Sequence, residues 1–230
     1  MRKAIGMLMY ILRTRPELGF AVGALSTIAV PSQAMPTAPT TAHKCALWSV
    51  LKYLAGTRDK GLTFSRRAGL QLDAGCDASY GTEMSTNAIG AAGARAGGYI
   101  RLNGAAIDAW SKRCRYVTLS TTEAELYALV LLLRRLLCVR RLLSLIVGYS
   151  LPPTRIAEDN QAVVKQIQRR DLTSQSRHVR VNIGFIIDAI EAAEVYIEWV
   201  PSQDQIADAL TAAEERVRFT RNRDELLGGP

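Results

Sequence analysis

Apolar residues recur along the chain at two spacings, and the switches between them delimit the elements it predicts. Over residues 42–54, Ala46, Leu47, Val50, Leu51 and Leu54 fall at helical spacing, and Gly56 stops the helix. Leu70 and Leu72 alternate with polar neighbours up to Asp77, which reads as a strand closing on a carboxylate. Residues 99–102 and 105–110 flank Asn103-Gly104, the kind of pair that a tight hairpin turn requires because its central residues take positive φ. Residues 116–119 predict a third strand. Ser120, Thr121 and Thr122 are N-cap candidates, with Glu123 and Glu125 in the first turn, where negative charge suits the helix dipole; a long helix should run from there to Ile146. A short strand over 155–158 closes on Asp159-Asn160, and helices follow over 161–168 and 179–192. Residues 195–200 alternate as a strand that Pro201 ends, and 205–213 return to helix. This order predicts an α/β fold with a mixed sheet. Residues 28–42, rich in Pro, Ser, Thr and Ala, separate an N-terminal helical piece from the rest.

Composition narrows the picture. With 230 residues, 48% of them hydrophobic, the chain can build one good-sized core and a smaller attached segment. Residues 126–147 are the most apolar stretch, but Arg134, Arg135, Arg140 and Arg141 interrupt it, which excludes a membrane span and predicts a helix in water. The N-terminus has a short apolar run, followed at once by Arg13 and Arg15 without a small-residue cleavage site. It reads as non-secretory, so the protein is expected inside the cell, in a cytoplasmic particle or the nucleus. Cys45, Cys76, Cys114 and Cys138 form no C-x-x-C pair, which argues against a zinc site or a disulfide framework. Lys and Arg outnumber Asp and Glu by 29 to 21, a net charge of +8 that favours a polyanion, with nucleic acid first. Ribosomal, membrane-surface and plainly basic soluble proteins share that balance.

Four acidic residues sit where elements meet: Asp77 after the first strand, Glu125 in the first turn of the long helix, Asp159 after the fourth strand and Asp208 in the last helix. Carboxylates converging at strand ends repel unless cations lie between them, and hard oxygen donors of this kind select Mg²⁺ or Mn²⁺. Two such ions, about 4 Å apart, serve in-line displacement at a phosphodiester. Position alone also allows a turn former at Asp77, a dipole partner at Glu125, an Asx-turn at Asp159 and a solvated helix face at Asp208. Lys112, Arg113 and Arg115 follow the hairpin, and Arg169, Arg170, Arg177 and Arg180 follow the Asp159 strand. Both groups flank the carboxylate edges, where they can track phosphates or simply be solvated surface. Trp110 and Trp199, in expected strands, read as core.

The wording around the carboxylates decides between these readings. C-D-A-S-Y at 76–80, L-S-T-T-E-A-E-L-Y-A at 119–128, E-D-N-Q-A-V at 158–163, R-H-V at 177–179 and Q-I-A-D-A-L-T at 205–211 resemble, in order and spacing, the ribonuclease H region of copia-type (Pseudoviridae-like) retrotransposon Pol polyproteins. Upstream, L-R-T-R-P-E-L-G-F-A-V-G at 12–23 and the stretch 43–57 with Gly61-Leu62 resemble the segment joining reverse transcriptase to that nuclease. The resemblance implies a ribonuclease H-like fold, a five-stranded mixed sheet flanked by helices, over residues 66–230, with a helical connection segment over 1–65. It implies a nuclease using two Mg²⁺ or Mn²⁺ ions to cut the RNA strand of an RNA–DNA hybrid, with the reverse transcriptase part of the same polyprotein as partner. By motif, Asp77, Glu125, Asp159 and Asp208 are the catalytic and metal-holding residues, Glu123 is not a ligand, and His178 matches a family histidine with a positioning or packing role. Lys112, Arg113, Arg115, Arg177 and His178 are candidate substrate contacts. The chain departs from the pattern at Ser79-Tyr80, at Arg135 and Cys138 in the long helix, at Arg177 and at Ala212, and residues 88–97 look like an insertion. These departures support an alternative, an inactive retroelement remnant that binds nucleic acid without cutting. A third class is a DNA-acting member of the same nuclease fold, such as an integrase or resolvase.

Overall fold

Local signals and burial agree along most of the chain. A computed structural model describes residues 1–29, 40–66, 69–79, 94–114, 120–170 and 177–229. Helices α1 (Arg2–Ile11), α2 (Gly19–Ala29) and α3 (Thr41–Gly56) come first, followed by strands β1 (Leu72–Ser79), β2 (Arg95–Leu102) and β3 (Ala105–Arg113). Then come α4 (Thr121–Val147), β4 (Thr154–Glu158), α5 (Gln161–Arg169), α6 (Arg177–Glu191), β5 (Val195–Trp199) and α7 (Arg216–Leu227). The expected third strand at 116–119 lies outside the described residues, as do Arg115 and residues 88–93.

The five strands form one sheet in the order β3-β2-β1-β4-β5. β1, β2 and β3 are antiparallel neighbours, whereas β1 pairs parallel with β4 and β4 with β5. The β2–β3 turn has positive φ at Asn103 (50°) and Gly104 (96°), the geometry that the Asn-Gly pair predicts. Two expectations change. Arg95, Ala96 and Gly97, read as the end of an insertion, are strand residues paired with Ser79, Ala78 and Asp77. Residues 205–213 do not form an α-helix; Ile206–Leu210 is a 3-10 turn. Ile206, Ala207, Ala209 and Leu210 are all buried, and a turn enclosed on so many sides leaves no wet helical face. The polar helix α7 carries little apolar periodicity, and sequence patterning misses it.

One face of the sheet packs Ala74, Cys76, Ala78, Ile100 and Ile156 against Leu126, Leu129, Leu132, Leu133 and Leu136 of α4 and Ile183 and Ile186 of α6. The other face places Tyr99 and Ala106 against Ile206, Ala207, Leu210 and Leu226. Arg140, on α4, is buried and donates to the carbonyls of Leu151 (3.0 Å) and Pro152 (2.7 Å), stitching the helix to the loop before β4. Arg135, a departure from the family wording, pairs with Asp108 of β3 at 2.7 Å and stacks on Trp110.

In the N-terminal helices Ile5, Leu8, Leu18, Val22, Leu25 and Val50 form their own core. Arg15 joins the α1–α2 corner to the end of α3: it pairs with Glu17 at 2.7 Å and donates to the Thr57 carbonyl at 2.9 Å. α2 lies against β3, and Phe20 stacks on the buried guanidinium of Arg95. Among the described residues, no helix is long and apolar enough to cross a membrane.

Candidate functional site

The sheet topology brings the ends of β1 and β4 side by side, because the two central strands run parallel and each ends near a carboxylate. Asp77 lies in β1 and Asp159 follows β4. Glu125 enters from the first turns of α4, whose start is fixed by the Ser120 side chain accepting from the Glu123 N–H at 3.2 Å. Asn160 caps α5 by accepting from the N–H groups of Ala162 (3.0 Å) and Val163 (3.3 Å), so the chain turns sharply just after Asp159.

Asp77, Glu125 and Asp159 each offer a carboxylate oxygen within 4.8 Å of the others. Glu125 is buried, and among the described residues its Oε2 has no hydrogen-bond partner. Burial raises the carboxyl of Glu125 well above its usual range, and the charges of Glu158, Asp77 and Asp159 push it further. Asp77 is pushed up to about 6, chiefly by burial and then by Asp159, against a hydrogen bond from Thr211. Glu158, fully buried beside Asp159, is raised by burial and by the charges of Asp159 and Asp77; its Oε1 accepts from the Asn160 N–H at 3.1 Å. Buried carboxylates converging with an unpartnered oxygen suit a hard divalent cation, which would repay both desolvation and repulsion.

Asp208 stands next to this trio rather than within it. Its carboxylate is engaged by the Arg218 guanidinium, which also approaches Glu214 to 3.2 Å. Burial and the charges of Asp77 and Asp159 nonetheless raise it to about 8. Glu123, expected not to be a ligand, is absent from the trio. Lys112 and Arg113 close β3, which runs in the same direction as β1, so they lie at the carboxylate end of the sheet, two strands out. The Arg170–Glu191 pair at 2.7 Å brings the C-terminal ends of α5 and α6 together, and exposed Arg177 begins α6 at its other end. His178 belongs to α6, but its side chain lies outside what is described.

Three residues escaped the sequence reading of the site. Glu158 adjoins Asp159 in E-D-N, where a carboxylate ending a central parallel strand is itself a signal of enforced burial. Thr211 closes the A-D-A-L-T wording and donates to Asp77. Trp199, expected in the core, is 43% exposed because β5 is an edge strand, and its Nε1 donates to the Asp159 carbonyl at 2.9 Å. Trp110 is buried as expected.

No family model matches the chain. It is 33% identical over 224 residues to the Retrovirus-related Pol polyprotein from transposon RE2 of Arabidopsis thaliana, a match that covers 95% of this chain. The chain belongs to the copia-type retrovirus-related Pol family. It spans 14% of the length of that Pol polyprotein. A shorter relative, the Secreted RxLR effector protein 161 of Plasmopara viticola, is 37% identical over 127 residues, covering 55% of this chain and 81% of that protein. Among solved structures, LC11-RNase H1 in complex with an RNA/DNA hybrid covers 61% of this chain and 94% of that chain at 14% identity, with a TM-score of 0.45. Within this Pol-family chain, strand order and direction give a mixed five-stranded sheet flanked by helices, preceded by N-terminal helices.

Proposed function

We propose that residues 66–230 are the ribonuclease H domain of a retrotransposon Pol polyprotein, a metal-dependent endonuclease that cuts the RNA strand of RNA–DNA hybrids inside the cell, in a cytoplasmic particle or the nucleus. Residues 1–65 are then the connection to the reverse transcriptase part, the partner within the same polyprotein. The observation that supports this most is the convergence of Asp77, Glu125 and Asp159 within 4.8 Å, around a buried Glu125 oxygen that has no partner among the described residues.

On this reading Asp77, Glu125 and Asp159 hold two Mg²⁺ or Mn²⁺ ions, with Asp208 as the fourth carboxylate. Bound there, the cations supply Lewis-acid stabilisation to the attacking and leaving oxygens of a phosphodiester. The protein gathers the carboxylates at one point and shields them from bulk water, and a bound cation would favour their ionised forms. Trp199 fixes the backbone of Asp159, and Asn160 turns the chain behind it. Lys112, Arg113 and Arg177 flank the site as phosphate contacts, with Arg115 and His178 as further candidates. Selectivity for a hybrid then comes from groove shape and the RNA 2′-hydroxyl.

The engagement of Asp208 by Arg218 favours one second reading, a remnant that binds nucleic acid without cutting. Cleavage of a labelled hybrid in Mg²⁺ or Mn²⁺, with Asp77→Asn and Asp159→Asn alongside and duplex DNA as competitor, separates the two. The nuclease reading predicts metal-dependent cutting of the RNA strand that both variants abolish. A folded protein that binds hybrid but never cuts it belongs to the second reading, and preference for duplex DNA excludes ribonuclease H.

A further inference from the structure

Asp77 is held by more than its own strand. Gly97 of β2 lies directly across from it in the β1–β2 ladder. A Cβ at Gly97 would come within 2.7 Å of Leu210 Cβ and 2.8 Å of Thr211 Cγ2. Glycine there lets the 206–211 segment lie directly on the sheet, in space that any other residue would fill.

That segment is tied to β1 on both sides of Asp77. Before it, Gln205 Nε2 donates to the Cys76 carbonyl at 2.9 Å, while its Oε1 accepts from the Ala207 N–H at 3.3 Å. After it, Ser79 Oγ donates to the Thr211 carbonyl at 3.2 Å. Thr211 is 1% exposed, and its backbone N–H donates to the Asp208 carbonyl at 3.0 Å. Its one hydroxyl proton has two acceptors within reach, Asp77 Oδ2 and the Asp208 carbonyl 3.2 Å away. An ionised carboxylate is the stronger acceptor, so the hydroxyl serves Asp77.

We propose that Thr211 is a positioning residue for Asp77: its buried hydroxyl engages Oδ2 and fixes the rotation of a carboxylate that would hold a cation together with Glu125 and Asp159. The inference rests on the metal-binding reading of the site. A carboxylate ligand that can rotate loses affinity when the cation must order it, whereas one already held by a fixed donor does not; outer partners of this kind are typically worth about 10- to 100-fold in metal affinity or activity. Thr211 also carries the same segment as Asp208, so it couples the placement of the fourth carboxylate to that of the first.

The test is a substrate-free Mn²⁺ titration of the full chain, read by the electron paramagnetic resonance signal of free Mn²⁺, with thermal unfolding to verify that each variant is folded. Thr211→Val keeps the shape and removes the hydroxyl; Thr211→Ser keeps the hydroxyl. Weakening of Mn²⁺ binding by about 10-fold or more in Thr211→Val, with recovery close to wild type in Thr211→Ser, is the expected result, and a role in packing alone would not produce that recovery. If the valine variant fails to fold, Thr211→Ala is compared with Thr211→Ser in the same way. Equal binding by wild type and the hydroxyl-free variant overturns this inference and leaves the metal site standing. Absence of Mn²⁺ binding by the wild type overturns the metal-binding reading itself, and this inference with it.

Discussion

Asp77 and Glu125 have been drawn out of water toward Asp159 and Glu158, and for Asp77 burial and the Asp159 charge outweigh the opposing Arg218 charge and Thr211 hydrogen bond, so the protonated form gains accordingly. Asp77, at about 6, and Asp208, at about 8, both lie above ordinary aspartate. Each contributes most to stability when protonated, below about pH 4, and that contribution is lost as pH rises through the folded value. The metal-free protein should therefore melt at a progressively lower temperature from about pH 5 to about pH 8, and Mg²⁺ should reverse most of the loss at the upper end. Melting curves in chelator and in Mg²⁺ check this; a melting temperature that is flat or rising over that window contradicts it. Asp77→Asn should raise metal-free stability near pH 8 by roughly 1–3 kcal/mol, remove the Mg²⁺ response and abolish cleavage. Urea unfolding and the hybrid assay read the two effects separately.

Elements were legible in the sequence where their signals are local. The Asn103-Gly104 turn, the Ser120 cap and the 3.6-residue rhythm of α4 depend on neighbours within a few residues, and each has a counterpart in the structure. The failures are elements whose conformation is set by what covers them. β2 begins earlier than its composition suggests because small residues are needed where the 206–211 segment crosses it, and that segment is a 3-10 turn because it is enclosed. Gly97→Ala should therefore cost about 1–3 kcal/mol from overpacking against Leu210 and Thr211, measured by urea unfolding; a change below about 0.5 kcal/mol would show that the segment can move aside. Arg140, read from sequence as a charge barring a membrane span, instead ties α4 to the loop before β4. Arg140→Met should destabilise by roughly 3 kcal/mol, since it leaves the buried Leu151 carbonyl and Thr154 hydroxyl without this donor.

For the whole molecule, what matters most is how the N-terminal helices are covered. Leu8, Ile11, Leu12, Phe20 and Val22 would be sticky apolar surface if they had nothing to pack against. In the structure Leu8 and Val22 are buried at 2% and 0%, Ile11 and Leu12 pack against the same cluster, and Phe20 covers Arg95 of β2. A chain starting near residue 40 should expose that face of the sheet, melt at a lower temperature and aggregate more readily. Improved solubility and an unchanged melting temperature would return residues 1–40 to the status of a dispensable extension. By itself the sequence determined the order and kind of most elements and which carboxylates stand where elements meet, because periodicity, capping, turn chemistry and motif wording are written in neighbouring residues. Only the tertiary structure decided that β1 and β4 run side by side and bring Asp77, Glu125 and Asp159 together, that Arg218 engages Asp208, and that Thr211 and Trp199 donate to Asp77 and to the Asp159 carbonyl. Those contacts join residues far apart in the chain, and they exist only because burying one apolar surface on another fixes which strand ends and turns must meet.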